Sequence, residues 1–191
     1  MSGLTIHSSR RRFAARLNSG VRRSKLEYQR ARLQYQFMKL EPIRKGIYPS
    51  YGYGGNVEFE LFSFFEICHH LRDWIKESDG YESLGNVDEF IKKSPALRIS
   101  ADICNRLKHK VLRDKKTGKI VGNKWSDAPL GPINTKIIMT IGPDPDLCSV
   151  ALTEATVHSE RGEECCFALA KECIEEWERY FSSNKSGANS S

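Results

Sequence analysis

The stretch LFSFFEICHHLRDWI, residues 61–75, limits the fold more than any other part of the chain. Leu61, Phe64, Ile67, Cys68, Leu71, Trp74 and Ile75 recur at steps of three and four, the period of a helix with one face in a core. The opposite face collects Glu66, His69, His70 and Asp73, with Phe59 and Phe62 one turn earlier. Two aromatics beside an acid–histidine cluster do not describe a wet surface. Something must cover that side.

A second helix supplies a cover. Ser94-Pro95 is a start signal, with a Ser cap ahead of Pro in the first turn, and the helix is expected to run to about Arg113. On a 100° wheel Leu97, Ile103, Cys104, Leu107 and Val111 fall on one half, and Arg98, Asp102, Asn105, Arg106, His109 and Arg113 on the other. The two polar stripes are expected to face each other in one seam.

Around this pair the chain reads as follows. Residues 1–9 are expected to be disordered, and residues 10–45 to form a basic helical arm. Its helix spans Arg10 to Leu40 on Phe13, Leu17, Val21, Leu26, Leu33, Phe37 and Leu40, with Gly20 a point of interruption. Residues 41–55 are a Gly-, Pro- and Tyr-rich loop without a phosphate-binding fingerprint. Asn56 caps the His-bearing helix to about Glu77, and Asn86 caps a short helix, VDEFIKK. DKKTGK has hairpin-turn character, KIVGNKW fits a strand, and TKIIMTIG with CSVALTEATV reads as an antiparallel pair around PDPD. In the second of these the alternation leaves the buried face open. A last helix, Glu160 to Phe181, carries the stripe Phe167, Ala170, Ile174, Trp177 and Phe181. Residues 182–191 form a frayed tail. The fold class is mainly α (α+β): one helical domain over 56–181, with a small antiparallel hairpin or sheet inserted at about 115–158, before the C-terminal helix.

Composition narrows the function classes. With 191 residues, 39% hydrophobic and 28% charged, the chain can bury a real core. Nothing approaches eighteen consecutive apolar residues, so no membrane span is expected. The N-terminus has no apolar secretion segment; its Arg-rich start also fits an organelle transit peptide, although tyrosine and glutamate soon follow. Six cysteines without a C-x-x-C pair, most within helices, read as reduced thiols of a cytoplasmic protein.

The net charge of +6 is unevenly spread. Residues 1–45 hold twelve Lys/Arg against Glu27 and Glu41 alone, leaving 18 basic and 22 acidic residues in the remainder. Clustered cations gain by releasing counterions from a polyanion, so Arg10, Arg11, Arg12, Arg16, Arg22 and Arg23 are candidate nucleic-acid contacts. A second basic run, Arg106 to Lys124, has eight Lys/Arg with Asp114 its only acid. For both runs the alternative is a solvated basic face.

Three chemistries fit the seam. A histidine held by a carboxylate beside an arginine and an amide can move protons and stabilise phosphorane-like charge near neutral pH. His109 would be the acid/base, Arg106 the charge stabiliser, and Asn105 and Asp102 the orienting groups, with His70 and Asp73 across the seam, which suits cofactor-free, metal-independent RNA cleavage. Glu66, His69, His70, Asp73 and His109 are alternatively candidate metal ligands, since Glu66 and His69 make an E-x-x-H step, although a di-iron set would need a second one. The third reading is a buried polar network that fixes packing and turns nothing over.

HHLRDWI, ADICNRLKHKVL and AKECIEEWERYF together resemble a group of uncharacterised bacterial proteins. In that group a helix with H-L-x-D-W precedes one with D-x-x-N-x-x-K-H, and a Trp-bearing helix closes the chain. The resemblance covers about residues 57–181 and marks His70, Asp73, Asp102, Asn105, Lys108 and His109. More distantly, the paired helices resemble the HEPN superfamily of toxin–antitoxin and phage-defence proteins. That likeness implies a helical fold, a catalytic Arg and His at a subunit interface, and metal-independent ribonuclease activity. The family spaces that Arg and His by four to six residues, whereas Arg106 and His109 have two between them. RNA or another polyanion, a second copy of the chain or an antitoxin-like protein are the partners these readings imply. A non-catalytic interaction module is the rival from another class.

Overall fold

A computed structural model describes residues 24–47, 57–78, 85–108, 125, 130–140 and 150–183. The expectations for residues 1–23, for Asn56 as a cap, and for 109–124 lie outside the described residues. Within them are five helices: α1 (Lys25–Arg44), α2 (Val57–Lys76), α3 (Val87–Lys93), α4 (Pro95–Lys108) and α5 (Cys166–Ser183). Three strands precede α5: β1 (Ile133–Thr140), β2 (Val150–Ser159) and β3 (Gly162–Cys165). They form an antiparallel sheet in the order β1-β2-β3, with Ile133 opposite Val157 and Thr156 opposite Cys165. The chain is mainly α with a small sheet ahead of its last helix, as its periodicity predicts.

Local chemistry sets most boundaries. Ser24 and Glu27 form a reciprocal capping box at the start of α1, with the Glu27 N–H donating to Ser24 Oγ and the Ser24 N–H to Glu27 Oε2. Asn86 Oδ1 accepts the N–H groups of Asp88 and Glu89, and Ser94 Oγ that of Leu97. Two boundaries depart from expectation. α1 continues through Pro42 to Arg44, where the sequence reads as loop, because a proline one turn from the end leaves most of the hydrogen-bond ladder intact. The last helix begins at Cys166, about six residues late. Gly162, at φ +95°, closes a tight turn that returns the chain as β3 before the helix can start.

α4 runs through the centre. It packs against α2, α3 and α5, and every residue from Ala96 to Cys104 except Arg98 is buried. Asp102, on the half read as polar and expected to be covered, is 0% exposed, and Ser100 is 1% exposed. Further along α4 Asn105 is half-buried and Arg106 exposed, so the cover ends near the last turn. The α2 face behaves as expected, with Leu61, Phe64, Cys68, Leu71 and Ile75 essentially inaccessible. Phe65 joins them, whereas Phe59 is exposed.

The strand whose faces were ambiguous buries Thr153, Ala155, Val157 and Ser159 and exposes Leu152, Glu154 and His158. Small side chains line the inner face because α1 and α5 pack directly against β2. The larger Leu152 is left outside.

A short charged cluster ties α2 to α3. Arg72 Nε and Lys76 Nζ each lie 2.5 Å from a different oxygen of Asp88, in the first turn of α3. The Arg72 hydrogen bond, with Lys76 assisting, lowers the Asp88 carboxyl from 3.8 to about 2. A carboxyl lowered on folding contributes stability that is whole above its unfolded value and disappears as the pH falls through its folded value. Asp88→Asn is therefore expected to cost about 1–2 kcal/mol at pH 7, discounted for partial exposure. Melts of variant and parent should converge between about pH 4 and pH 2, the window set by the two values of the Asp88 carboxyl. A gap that persists unchanged at pH 2 would place the loss in packing.

Candidate functional site

Both predicted stripes border one residue, Trp125. From α4, Asp102 Oδ1 accepts the Trp125 backbone N–H at 3.1 Å. From α2, His69 meets the Trp125 ring edge to face, with centroids 6.1 Å apart, and the Arg72 guanidinium carbon lies 5.7 Å from the ring centroid. α2 and α4 thus share Trp125 as a neighbour. A buried carboxylate on a central helix stays soluble in the fold only by accepting hydrogen bonds, and the Trp125 amide supplies one.

A few residues further on, Arg106 Nη1 donates to the Leu130 carbonyl. The Gly131 N–H then donates to the His158 carbonyl on β2 at 2.7 Å. Gly131 approaches so closely that a Cβ there would stand 2.9 Å from His158 Cβ. Asp102 and Arg106, one helical turn apart, thus fasten two points of the chain leading into the sheet.

The other predicted residues are distributed as follows. His70 is half-buried, its ring 6.1 Å from that of His69. Glu66 is exposed. The Asp73 side chain is 51% exposed and pairs with the adjacent Arg72 at 2.9 Å, so it stands on the solvent side of the cluster. Asn105 keeps a buried Nδ2 with no hydrogen-bond partner among the described residues. His109, Arg10, Arg11, Arg12, Arg16, Arg22 and Arg23 lie outside the described residues, as does the Lys108 side chain. No group of three or more His, Cys, Asp or Glu side chains among the described residues is disposed to hold a metal ion, so Glu66, His69, His70 and Asp73 do not converge.

Two members of the site are absent from the sequence reading. Arg72 sits between the stripes on the wheel, yet it touches Asp88, Asp73 and Trp125. Trp125 ends the stretch KIVGNKW, whose pattern fits a strand, yet a lone large aromatic in a basic, polar run has to find cover somewhere. That demand says that Trp125 is covered, but not by which element.

A buried thiol pair lies beneath the seam. Cys68 Sγ accepts the Trp177 indole N–H at 3.3 Å, and the Cys173 thiol donates to the Ala96 carbonyl at 3.5 Å. Burial holds the Cys173 thiol well above its usual range. Cys68, Cys104, Cys165, Cys166 and Cys173 form no disulfide among the described residues. No described helix is long and apolar enough to cross a membrane.

No protein-family model, curated protein or solved structure matches the chain.

Proposed function

We propose that this chain is a cytoplasmic RNA-binding module, HEPN-like in its paired helices, which takes RNA through its basic N-terminal quarter and uses the α2–α4 seam as structural support. One observation carries the reading: twelve of the 30 Lys/Arg lie in residues 1–45 with two acids, while the rest of the chain is slightly acidic. A charge so segregated favours contact with a polyanion through that part of the chain. The employment of Asp102 and Arg106 in holding Trp125 and Leu130 supports a structural seam. The free thiols fit a reducing compartment.

A salt titration of the full chain against a labelled single-stranded RNA 12-mer tests this. With about five phosphates neutralised, affinity should fall roughly a hundredfold between 50 and 200 mM salt. Affinity that hardly moves over that range would remove the polyanion reading.

Ribonuclease activity is the second reading. It is favoured by Arg106, which is exposed, and by the Asn105 amide beside it, whose buried Nδ2 has no partner among the described residues; the two stand three and four residues ahead of His109 in sequence. Cleavage by the parent that His109→Ala abolishes, with unchanged melting, would establish it.

A further inference from the structure

α1 buries Leu33, Leu40 and Ile43 as a surface helix does, but it departs from that pattern on both sides. It buries two glutamines, Gln29 and Gln36, at 9% and 6% exposure, and presents two tyrosines, Tyr28 and Tyr35, at 61% and 54%. A buried polar group and an exposed large aromatic are the observations that call for a reason. The buried side has one: Gln36 Nε2 donates to Glu60 Oε2 at 2.5 Å and to the Glu60 carbonyl at 3.2 Å, which fastens α1 to α2. The outer side shows no such reason among the described residues.

The two tyrosines belong to a longer pattern. Lys25, Tyr28, Arg32, Tyr35 and Lys39 follow one another at steps of three, four, three and four, so cation and aromatic alternate along one face. Lys25 and Arg32 are exposed, and the Lys39 side chain is 38% exposed. Lys39 Nζ stands 5.3 Å from the Tyr35 ring centroid and 3.8 Å from Glu60, a carboxylate already engaged by Gln36. No acid falls within the stripe; Glu27 turns back onto Ser24, and Glu41 pairs with Arg44 and Lys45 beyond its end. The stripe starts two residues after Arg23, the last of the six arginines of the N-terminal segment.

We propose that this face of α1 is a stacking surface for single-stranded RNA, with bases laid on Tyr28 and Tyr35 and phosphates held by Lys25, Arg32 and Lys39. The inference rests on the polyanion reading above and adds to it the class of nucleic acid and the residues that select it. Single-stranded RNA is the occupant because its unpaired bases offer π-faces to rings spaced between cations, a combination that a duplex, whose bases are stacked internally, does not use. Tyrosine serves well, since it gives a large rigid face with few rotatable bonds to order.

The test compares the full chain with Tyr28→Ala/Tyr35→Ala and Tyr28→Phe/Tyr35→Phe, using a labelled single-stranded RNA 12-mer and an abasic ribose-phosphate chain of equal length. The alanine pair should weaken the RNA about tenfold to a hundredfold with the salt slope retained, because stacking neutralises no phosphate. It should leave the abasic chain unaffected. The phenylalanine pair should restore RNA affinity, and both pairs should melt with the parent, since the rings are exposed. RNA affinity unchanged in the alanine pair overturns the stacking surface while leaving the polyanion reading in place, and it is also the result expected if the stripe docks a protein. A parent chain that binds neither oligomer overturns both.

Discussion

Replacing Asp102 by alanine is expected to lower the stability of the protein by about 2–4 kcal/mol, or roughly 4–16 °C in Tm for a domain of this size. Asp102 is 0% exposed and accepts the Trp125 N–H, so alanine leaves a desolvated donor without that acceptor and a void at the centre of the bundle. The loss extends beyond one hydrogen bond. Trp125 rests on His69 and near Arg72, and freeing its backbone releases the aromatic cover of the α2 stripe. Asp102→Asn keeps an oxygen at the same place and should recover half of the deficit or more. Thermal melts of the three proteins decide the matter. Melting that is unchanged in the alanine variant, joined to loss of an RNA-directed activity, would return Asp102 to a catalytic role.

That prediction turns on a residue that the sequence marks as polar yet in need of cover. Periodicity places Asp102 with Asn105 and Arg106 opposite Leu97 and Ile103, and Asp102 is indeed fully buried. What periodicity does not give is which element supplies the cover. Whether a helix has one covered side or several depends on how many neighbours surround it, which is a property of the assembled bundle. α4 lies among α2, α3 and α5, so its polar side also needs cover. A segment distant in sequence provides it, and no local pattern announces that Trp125 docks there.

The parts governed by local chemistry were legible. The Asn86 and Ser94 caps, the apolar face of α2 and the stripe on α5 all follow from side chains within a few residues of one another. The sheet was legible as an antiparallel pair but not in its third strand. GEEC has no strand pattern of its own and pairs because the turn at Gly162 folds it back onto β2. The buried face of β2 was equally hidden, because alternation there offers Val150 and Leu152 against Ala155 and Val157. Helix proximity selects the smaller set. Of the candidate site, the seam was visible as two stripes, whereas Arg72 and Trp125 emerge only from the fold.

Trp177→Ala is expected to be the most damaging single change in the described structure, costing about 3–5 kcal/mol. Trp177 is 3% exposed on α5, where its ring packs against Tyr180 edge to face at 5.9 Å, against Phe181 at 6.3 Å and against Phe90 of α3 at 6.4 Å. Tyr180 in turn lies 5.0 Å from Phe90 and donates its hydroxyl to the Gly85 carbonyl. Aromatic neighbours in such a cluster interact beyond the area they bury, so truncating the central ring weakens its partners' contacts as well. The indole N–H is also the donor to Cys68 Sγ, which joins α5 to α2. Trp177→Phe separates these contributions. It retains ring packing and loses the N–H, so it should recover most of the alanine deficit and leave about 1 kcal/mol for the hydrogen bond and the smaller ring. Equilibrium urea unfolding measures both. A Trp177→Ala protein within 1 kcal/mol of the parent would show that the α3–α5 aromatic cluster does not hold the C-terminal helix, and that β3 and the apolar face toward α4 hold it instead.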